Sequence, residues 1–516
     1  MKKRAVIYNK WLHTLGGGEV VACNLANVLK ELGYDVTILC KNRTRLKDIK
    51  QILNIELREV SILAIGESES EIKQKVWGAE LFFNLTFIDY SSGYAKKNIY
   101  YFHFPQKPWE TFKRRIYNKY ITPVFLRVVN PHVIHFYPKA IGLIHGKPAY
   151  DFKSELIIKS SNIDINSMYD LEFSLHLDYF YKVLLEKFNY KINNCEIVYR
   201  EVKVDYQRNL INFKLTIKAD KKNLDLFFNL NNLRQQEEIK HLLGIRLVPH
   251  SLKGKILQFL YDVIYSNQNT MIYLNLADRV HSYQKFITHS DYVNKWVKAY
   301  WGKKAITIYP PVELLFKKYN IDKTRKVNKI ISVGRFFTLG HGKKQEALIK
   351  AFKKIYARGF KNWQLHLVGR LGNERSSLVF LEQLKKISKG YPIFFHINVS
   401  RKKVEKLLLE SRIYWHATGF GENPDKDPVK LEHFGISVVE AISAGCFPIV
   451  FKGGGLVEII NLAGFDNDSF FTSIKDLVNK TIKAFKYNHK LKKEIEDNLY
   501  KNFSSDVFKS KIQSIL

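Results

Sequence analysis

The stretch LEHFGISVVEAISAGCFPIVFKGGGLVEII, Leu431 to Ile460, sets two acids eight positions apart across a loop-to-helix junction. Glu432 lies in the loop just before His433, Phe434 and Gly435, and the apolar spacing starts a helix near Ile436. Glu440 falls roughly two turns along that helix and returns toward the same face. The first backbone N–H groups of such a helix, here those of Gly435, Ile436 and Ser437, have no intrahelical partner and point at any phosphate placed there. Phe447 to Phe451 then reads as a buried strand followed by a Gly-rich turn. Helix, strand, turn and helix in that order are the repeat of a doubly wound α/β domain.

The same alternation extends upstream from this stretch. Lys329–Val333, Trp363–Val368, Ile393–His396 and Ile413–His416 are strand candidates, each followed by a turn and a helical stretch, so residues 311–500 form one doubly wound domain. Ligands of such sheets bind outside the carboxyl ends of the strands. The loop after the first of these strands, SVGRFFTLGHGKKQEALIKAF (Ser332 to Phe352), puts Arg335 at the strand exit and Lys343 near a helix start. Together they suit a diphosphate, Arg335 as a planar fork and Lys343 as a mobile point charge, with Lys344 competing for the second role. Glu432 suits a sugar hydroxyl and Glu440 a ribose hydroxyl, so the set describes a nucleotide sugar.

The first half opens in a similar way. A strand at residues 4–9, the glycines Gly16, Gly17 and Gly18, a helix from about Glu19 to Leu32 and a strand from Tyr34 to Cys40 make a βαβ unit. Leu81–Leu85 and Asn98–His103 continue its sheet, and Phe286–Ser290 with Ala305–Tyr309 resume it before Pro310 and Pro311 break the chain between domains. Between them, residues 149–247 alternate polar and apolar, the signature of half-exposed antiparallel strands. The division expected is a first domain from 1–148 and 248–310, an insertion over 149–247, a second domain over 311–500, and a helix over 501–516 crossing back to the first domain.

At 516 residues, 46% apolar and 14% aromatic, the chain has material for several packed cores and no sign of wholesale disorder. Its 83 Lys and Arg against 49 Asp and Glu leave a formal charge of +34, which attracts polyanions without naming one. No nucleic-acid-binding signature accompanies the charge, so nucleic acid is not expected as a partner. Cys23, Cys40, Cys195 and Cys446 are scattered and indicate neither a zinc site nor a disulfide framework. A reducing cytosol is the expectation, and nowhere do 18 consecutive apolar residues announce a membrane span. Lys107–Val129 mixes Trp109, Phe112, Ile116, Tyr117 and Tyr120 at helical spacing with Lys113, Arg114, Arg115 and Lys119, which suits a peripheral place on an anionic membrane surface.

Taken in order, GGGE at Gly16–Glu19, YFHFP at Tyr101–Pro105, IYPPVE at Ile308–Glu313, the Arg335 and Lys343 loop, WHATGFG at Trp415–Gly421, Glu432 and Glu440 around FG, and the Gly-rich turn ending in Glu458 resemble the retaining glycosyltransferases of family four. The WHATGFG and EHFG runs are similar to a subgroup that includes the mannosyltransferases extending dolichol-linked oligosaccharides. The resemblance implies the GT-B fold, two Rossmann-like domains facing a cleft. It implies transfer of a hexose from a UDP- or GDP-linked donor to a glycan or polyprenyl-linked acceptor hydroxyl. A sugar-binding relative without turnover and a basic nucleic-acid-binding protein are the alternatives.

By the same resemblance Glu432, His103, Arg335 and Lys343 are the candidate catalytic residues. Gly17, Gly18, Phe434, Gly435, Ile436, Ser437 and Glu440 join Arg335 and Lys343 around the donor, and Val399 and Arg370 lie where the family reads the base. His416 is a second histidine at a strand end. No cofactor and no divalent metal is expected, since no DxD pair sits at a strand end; Asp425 and Asp427 form DKD in a loop.

Overall fold

The computed structural model describes residues 3–66, 69–87, 89, 91–105, 135–137, 142–144, 147–151, 155–161, 163–177, 188–205, 210–230, 239–251, 256, 279–337, 342–372, 375–486 and 491–516. The segment Lys107–Val129, expected to meet a membrane surface, lies outside them. The chain divides into two compact units, one of Met1–Pro108, Leu276–Asn373 and Ser377–Leu516, the other of Trp109–Asn275 with Glu374–Ser376.

The first unit holds two parallel sheets. One runs Ile306–Thr307, Lys285–Thr288, Lys97–Phe102, Leu81–Asn84, Arg4–Tyr8, Asp35–Cys40 and Ser61–Ala64 in spatial order. Its central strands are apolar on both faces, as a sheet covered by helices on both sides requires, and Ala5, Ile7, Ile38, Phe83 and Ile99 are fully buried. The other sheet runs Ile393–Ile397, Gln364–Gly369, Val327–Val333, Ser411–His416, Phe447–Phe451 and Phe470–Phe471. In both, the order reverses beside the first strand in sequence, which marks the place where a doubly wound sheet leaves a crevice at its carboxyl edge. In the first sheet the reversal lies between Arg4–Tyr8 and Leu81–Asn84, and in the second between Val327–Val333 and Ser411–His416.

The two halves are stitched by side chains that satisfy helix ends. Glu458, on the helix Gly455–Ala463, accepts the backbone N–H groups of Asp291 (2.9 Å) and Tyr292 (3.2 Å) at the start of the helix Asp291–Trp301, and takes the Tyr309 hydroxyl at 2.6 Å. Ser290 donates to the His433 carbonyl at 2.6 Å. The helix Ser505–Ile515 buries Phe508, Ile512 and Ile515 in the core of the first half, beside the helix Gly17–Glu31.

That first helix starts at Gly17, two positions ahead of the residue 19 start expected from sequence. Glu19 reaches back to the Gly16 N–H at 2.7 Å, satisfying a donor at the helix end.

The second unit is antiparallel throughout its described strands. Six strands run Cys195–Asp205, Leu210–Ala219, Met168–Leu177, Ile239–Pro249, Lys147–Asp151 and Gly142–Ile144; four more run Phe188–Asn193, Asp225–Leu230, Glu155–Ser161 and His135–Tyr137. Alternate residues such as Tyr169, Leu171 and Phe173, with Ile211, Phe213 and Leu215, fill its core. This unit is wider than the 149–247 read from sequence, because three-residue strands such as His135–Tyr137 are too short to show alternation.

Candidate active site

The site takes shape at the crevice of the second sheet. His416 ends the strand on one side of it, and the loop of Arg335 leaves the strand on the other. The junction at Glu432 is fixed from below by glycines. A side-chain carbon at Gly454 would lie 2.2 Å from the Glu432 carbonyl and one at Gly455 2.4 Å from that of His433, and the Gly455 N–H donates to Glu432 O at 2.7 Å. Gly435, with φ at +117°, then turns the chain into the helix Ile436–Ser443.

Two donors meet on one oxygen of Glu432. Lys343 Nζ stands 2.5 Å from Oε2 and His416 Nε2 stands 2.7 Å from the same atom. Burial pushes the His416 pKa down, the Glu432 charge pushes it up and Lys343 pushes it down again; the net is a depressed value and a neutral ring. A neutral imidazole facing a carboxylate carries its proton on Nε2. The Thr418 hydroxyl lies 3.0 Å from the same nitrogen, and the neighbouring Tyr414 hydroxyl donates to Ser437 at 2.8 Å.

Lys343 rather than Lys344 reaches the acid. Lys344, at φ +54°, caps the helix Gln345–Ala357 and turns its ammonium to Glu422 at 2.5 Å.

Arg335 faces the first half's glycine loop. A side-chain carbon at Gly16 would sit 3.9 Å from its guanidinium carbon, one at Gly17 3.3 Å from Ile436 Cδ1, and one at Gly18 3.0 Å from His103 Cε1. Of these, the tight approach between the halves is that of Gly17 to Ile436, while the one at Gly18 lies within the first half. Arg370 joins the group by donating to the Thr14 carbonyl at 3.3 Å, and its pKa is lowered by burial and by the Arg335 charge. Two cations are therefore held near each other, with Glu19 close enough for Arg335 to act on its titration. His103 bonds Leu85 O at 2.7 Å, and burial pushes its pKa down to about 4, leaving a neutral ring beside the loop.

Glu440 is engaged as well. Arg401 Nη2 stands 2.8 Å from its Oε1, and the same guanidinium meets Glu405 at 3.2 Å and Glu313 at 3.7 Å. Thr418 lies in the WHATGFG run without having been singled out, whereas Arg401 and Tyr414 carry no sequence signal for the site; Arg401 opens an RKK run that reads as a solvated face. Of the remaining expected residues, Phe434 is buried, stacked on Tyr309 and edge-on to Phe503, so it can offer a ligand its backbone but not its ring. Val399 is partly buried against the core of this half, in the loop after Ile393–Ile397. Asp427 pairs with Lys430 at 3.5 Å.

A family model for Glycosyl transferases group 1 matches residues 312–502. These residues carry a domain similar to that family. Arg335, Lys343, Arg401, His416, Glu432 and Glu440 all fall within that domain, whereas the glycine loop and His103 come from outside it. A curated relative in Candida albicans (strain SC5314 / ATCC MYA-2876), GDP-Man:Man(3)GlcNAc(2)-PP-Dol alpha-1,2-mannosyltransferase, is 30% identical over 31% of this chain and 26% of its own length. The protein of the same name in Dictyostelium discoideum is 27% identical over 41% of this chain and 44% of its own. The chain thus spans less than half the length of these relatives. A glycosyltransferase from Rickettsia africae ESF-5 superposes over 100% of this chain and 98% of its own, with a TM-score of 0.51 at 12% identity. The fold around the group 1 domain is GT-B, two Rossmann-like sheets with an antiparallel addition.

Proposed function

We propose that the chain is a retaining glycosyltransferase that moves a hexose from a nucleoside-diphosphate sugar to a hydroxyl of a lipid-linked glycan. The observation carrying this reading is the meeting of Lys343 and His416 on Glu432 at the crevice of the second sheet, with Arg335 facing the bare loop Gly16–Gly18. Arg335 and Lys343 neutralise the departing diphosphate, helped by the N–H groups of Gly435, Ile436 and Ser437. Glu432 accepts hydrogen bonds from the sugar, and Glu440, steadied by Arg401, accepts them from the ribose. The bond from C1 to the diphosphate breaks, the bond from C1 to the acceptor oxygen forms on the same face, and the acceptor proton passes to the leaving phosphate. His103, neutral at pH 7, borders that face. Charge neutralisation by these cations makes a divalent metal unnecessary.

GDP-mannose is the donor we favour, because the curated relatives named above are GDP-mannose-dependent and act on dolichol-linked glycans. The acceptor's lipid gives Lys107–Val129 its part, holding the protein at the cytoplasmic face of a membrane. The test is nucleotide release from a panel of UDP and GDP sugars, with Glu432→Gln as the reference. GDP released from GDP-mannose by the wild type and not by the variant supports the reading; release from none of the panel overturns it.

A further inference from the structure

The two donors on Glu432 Oε2 belong to different parts of the fold. Lys343 sits at the end of a loop on a flexible stem, and its ammonium is the one a diphosphate would claim. His416 belongs to a central strand, is 2% exposed, and its ring lies nearly parallel to that of Tyr414, with planes 20° apart. When a diphosphate draws Lys343 away, the imidazole stays. A carboxylate that must meet a sugar hydroxyl is then still held by one fixed N–H, as the partners behind a metal's ligands hold those ligands.

We propose that His416 is a positioning residue that aims the Glu432 carboxylate at the hexose of the donor. It touches no substrate atom, and it acts on the sugar but not on the nucleotide. The inference rests on the glycosyltransferase reading and adds the residue that makes Glu432 effective. Thr418, 3.0 Å from the same nitrogen, keeps the ring from turning by accepting a share of its proton.

The experiment measures equilibrium binding of GDP, GDP-mannose, UDP and UDP-glucose to the full chain and to His416→Ala, His416→Gln, Glu432→Gln and the double variant His416→Ala with Glu432→Gln. In His416→Ala, binding of the nucleoside diphosphate stays within about twofold while binding of the matching sugar nucleotide weakens at least about tenfold. His416→Gln, whose side-chain amide keeps an N–H at similar reach, restores most of that loss. In the Glu432→Gln background, His416→Ala adds nothing, since the carboxylate it aims is gone. Equal weakening of nucleotide and sugar nucleotide, no weakening at all, or a full additional loss in the double variant overturns the proposal. If the wild type binds none of the four ligands, the glycosyltransferase reading falls and this inference falls with it.

Discussion

Removing the Arg401 guanidinium tests how Glu440 is held. That group faces three carboxylates, Glu440 at 2.8 Å, Glu405 at 3.2 Å and Glu313 at 3.7 Å, and the Glu405 side chain is 1% exposed. Arg401→Met keeps most of the stem and deletes the charge. Glu405 retains Lys318 and Tyr319, each at 2.8 Å, so the loss falls mainly on Glu440. Breaking a buried pair from one side costs about 3–5 kcal/mol, and the surviving partners of Glu405 place this case near 3 kcal/mol. The pH dependence has a definite sign. Burial alone pushes Glu405 up, but the hydrogen bonds from Lys318 and Tyr319 and the charge of Arg401 outweigh it and leave it below its ordinary 4.5. A depressed carboxylate contributes stability above its unfolded value and loses it as pH falls through the folded one. The share of the Arg401→Met penalty that falls on Glu405 is therefore present at pH 7 and shrinks below about pH 4.5. Hydrogen exchange in peptides spanning 401–410 and 436–443, corrected for intrinsic rates at each pH, reads it locally. A penalty under about 1 kcal/mol at pH 7 refutes the reasoning.

Arg335→Ala and Lys343→Ala each slow nucleotide release from the donor by at least about tenfold, or 1.4 kcal/mol, while Lys344→Ala, whose ammonium is held by Glu422, stays within about twofold. Transfer persists in excess EDTA; activity lost to EDTA and restored by Mg or Mn would contradict charge neutralisation by Arg335 and Lys343. His103, lowered by burial to about 4 from 6.5, makes acidification destabilising. Its contribution is whole above pH 6.5 and falls away toward pH 4, so melting temperature drops over that window and drops less steeply in His103→Gln. Co-sedimentation with liposomes at low salt rises with anionic lipid content and collapses at high salt; equal, negligible binding to neutral and anionic vesicles removes the membrane claim.

Periodicity and loop composition were enough to read the central strands of the two parallel sheets, but not the short edge strands Ser61–Ala64 and Phe470–Phe471. Phe447–Phe451 has the same bounds in sequence and structure, since a five-residue apolar run between a glycine turn and a helix has few other fates. The spacing of Glu432 and Glu440 was legible for the same reason, because a helix begins between them. Their partners were not. Arg401 lies 39 positions from Glu440 in a run of three cations, and only the packing of the helix Arg401–Glu410 against the second half turns one of the three inward. The choice between Lys343 and Lys344 depends on a left-handed backbone at Lys344 that no residue there announces. Phe434 shows the opposite limit: a motif fixes its position, while the apolar core decides that its ring faces away from any ligand.

The pairing of both acids with cations bears on which ligands the site can accept. Lys343 and Glu432 are mostly buried, with side chains 17% and 11% exposed, so separating them without replacement leaves two poorly hydrated charges. A neutral hexose has no group that can compensate the ammonium, and it meets a carboxylate already engaged. A diphosphate does compensate it, by offering Lys343 oxygens at least as charged as the one it leaves. On the proposed reading, nucleotide binding and sugar recognition are coupled through one ammonium: the anion takes Lys343, and Glu432, still held by His416, is left to meet the hydroxyls beside it. Glu440 is different, because Arg401 is shared among three acids, so on the same reading the ribose contact is set before the donor arrives. The proposed reading therefore expects the nucleotide to engage before the sugar, with a free hexose unable to displace the Lys343 and Glu432 pair by itself.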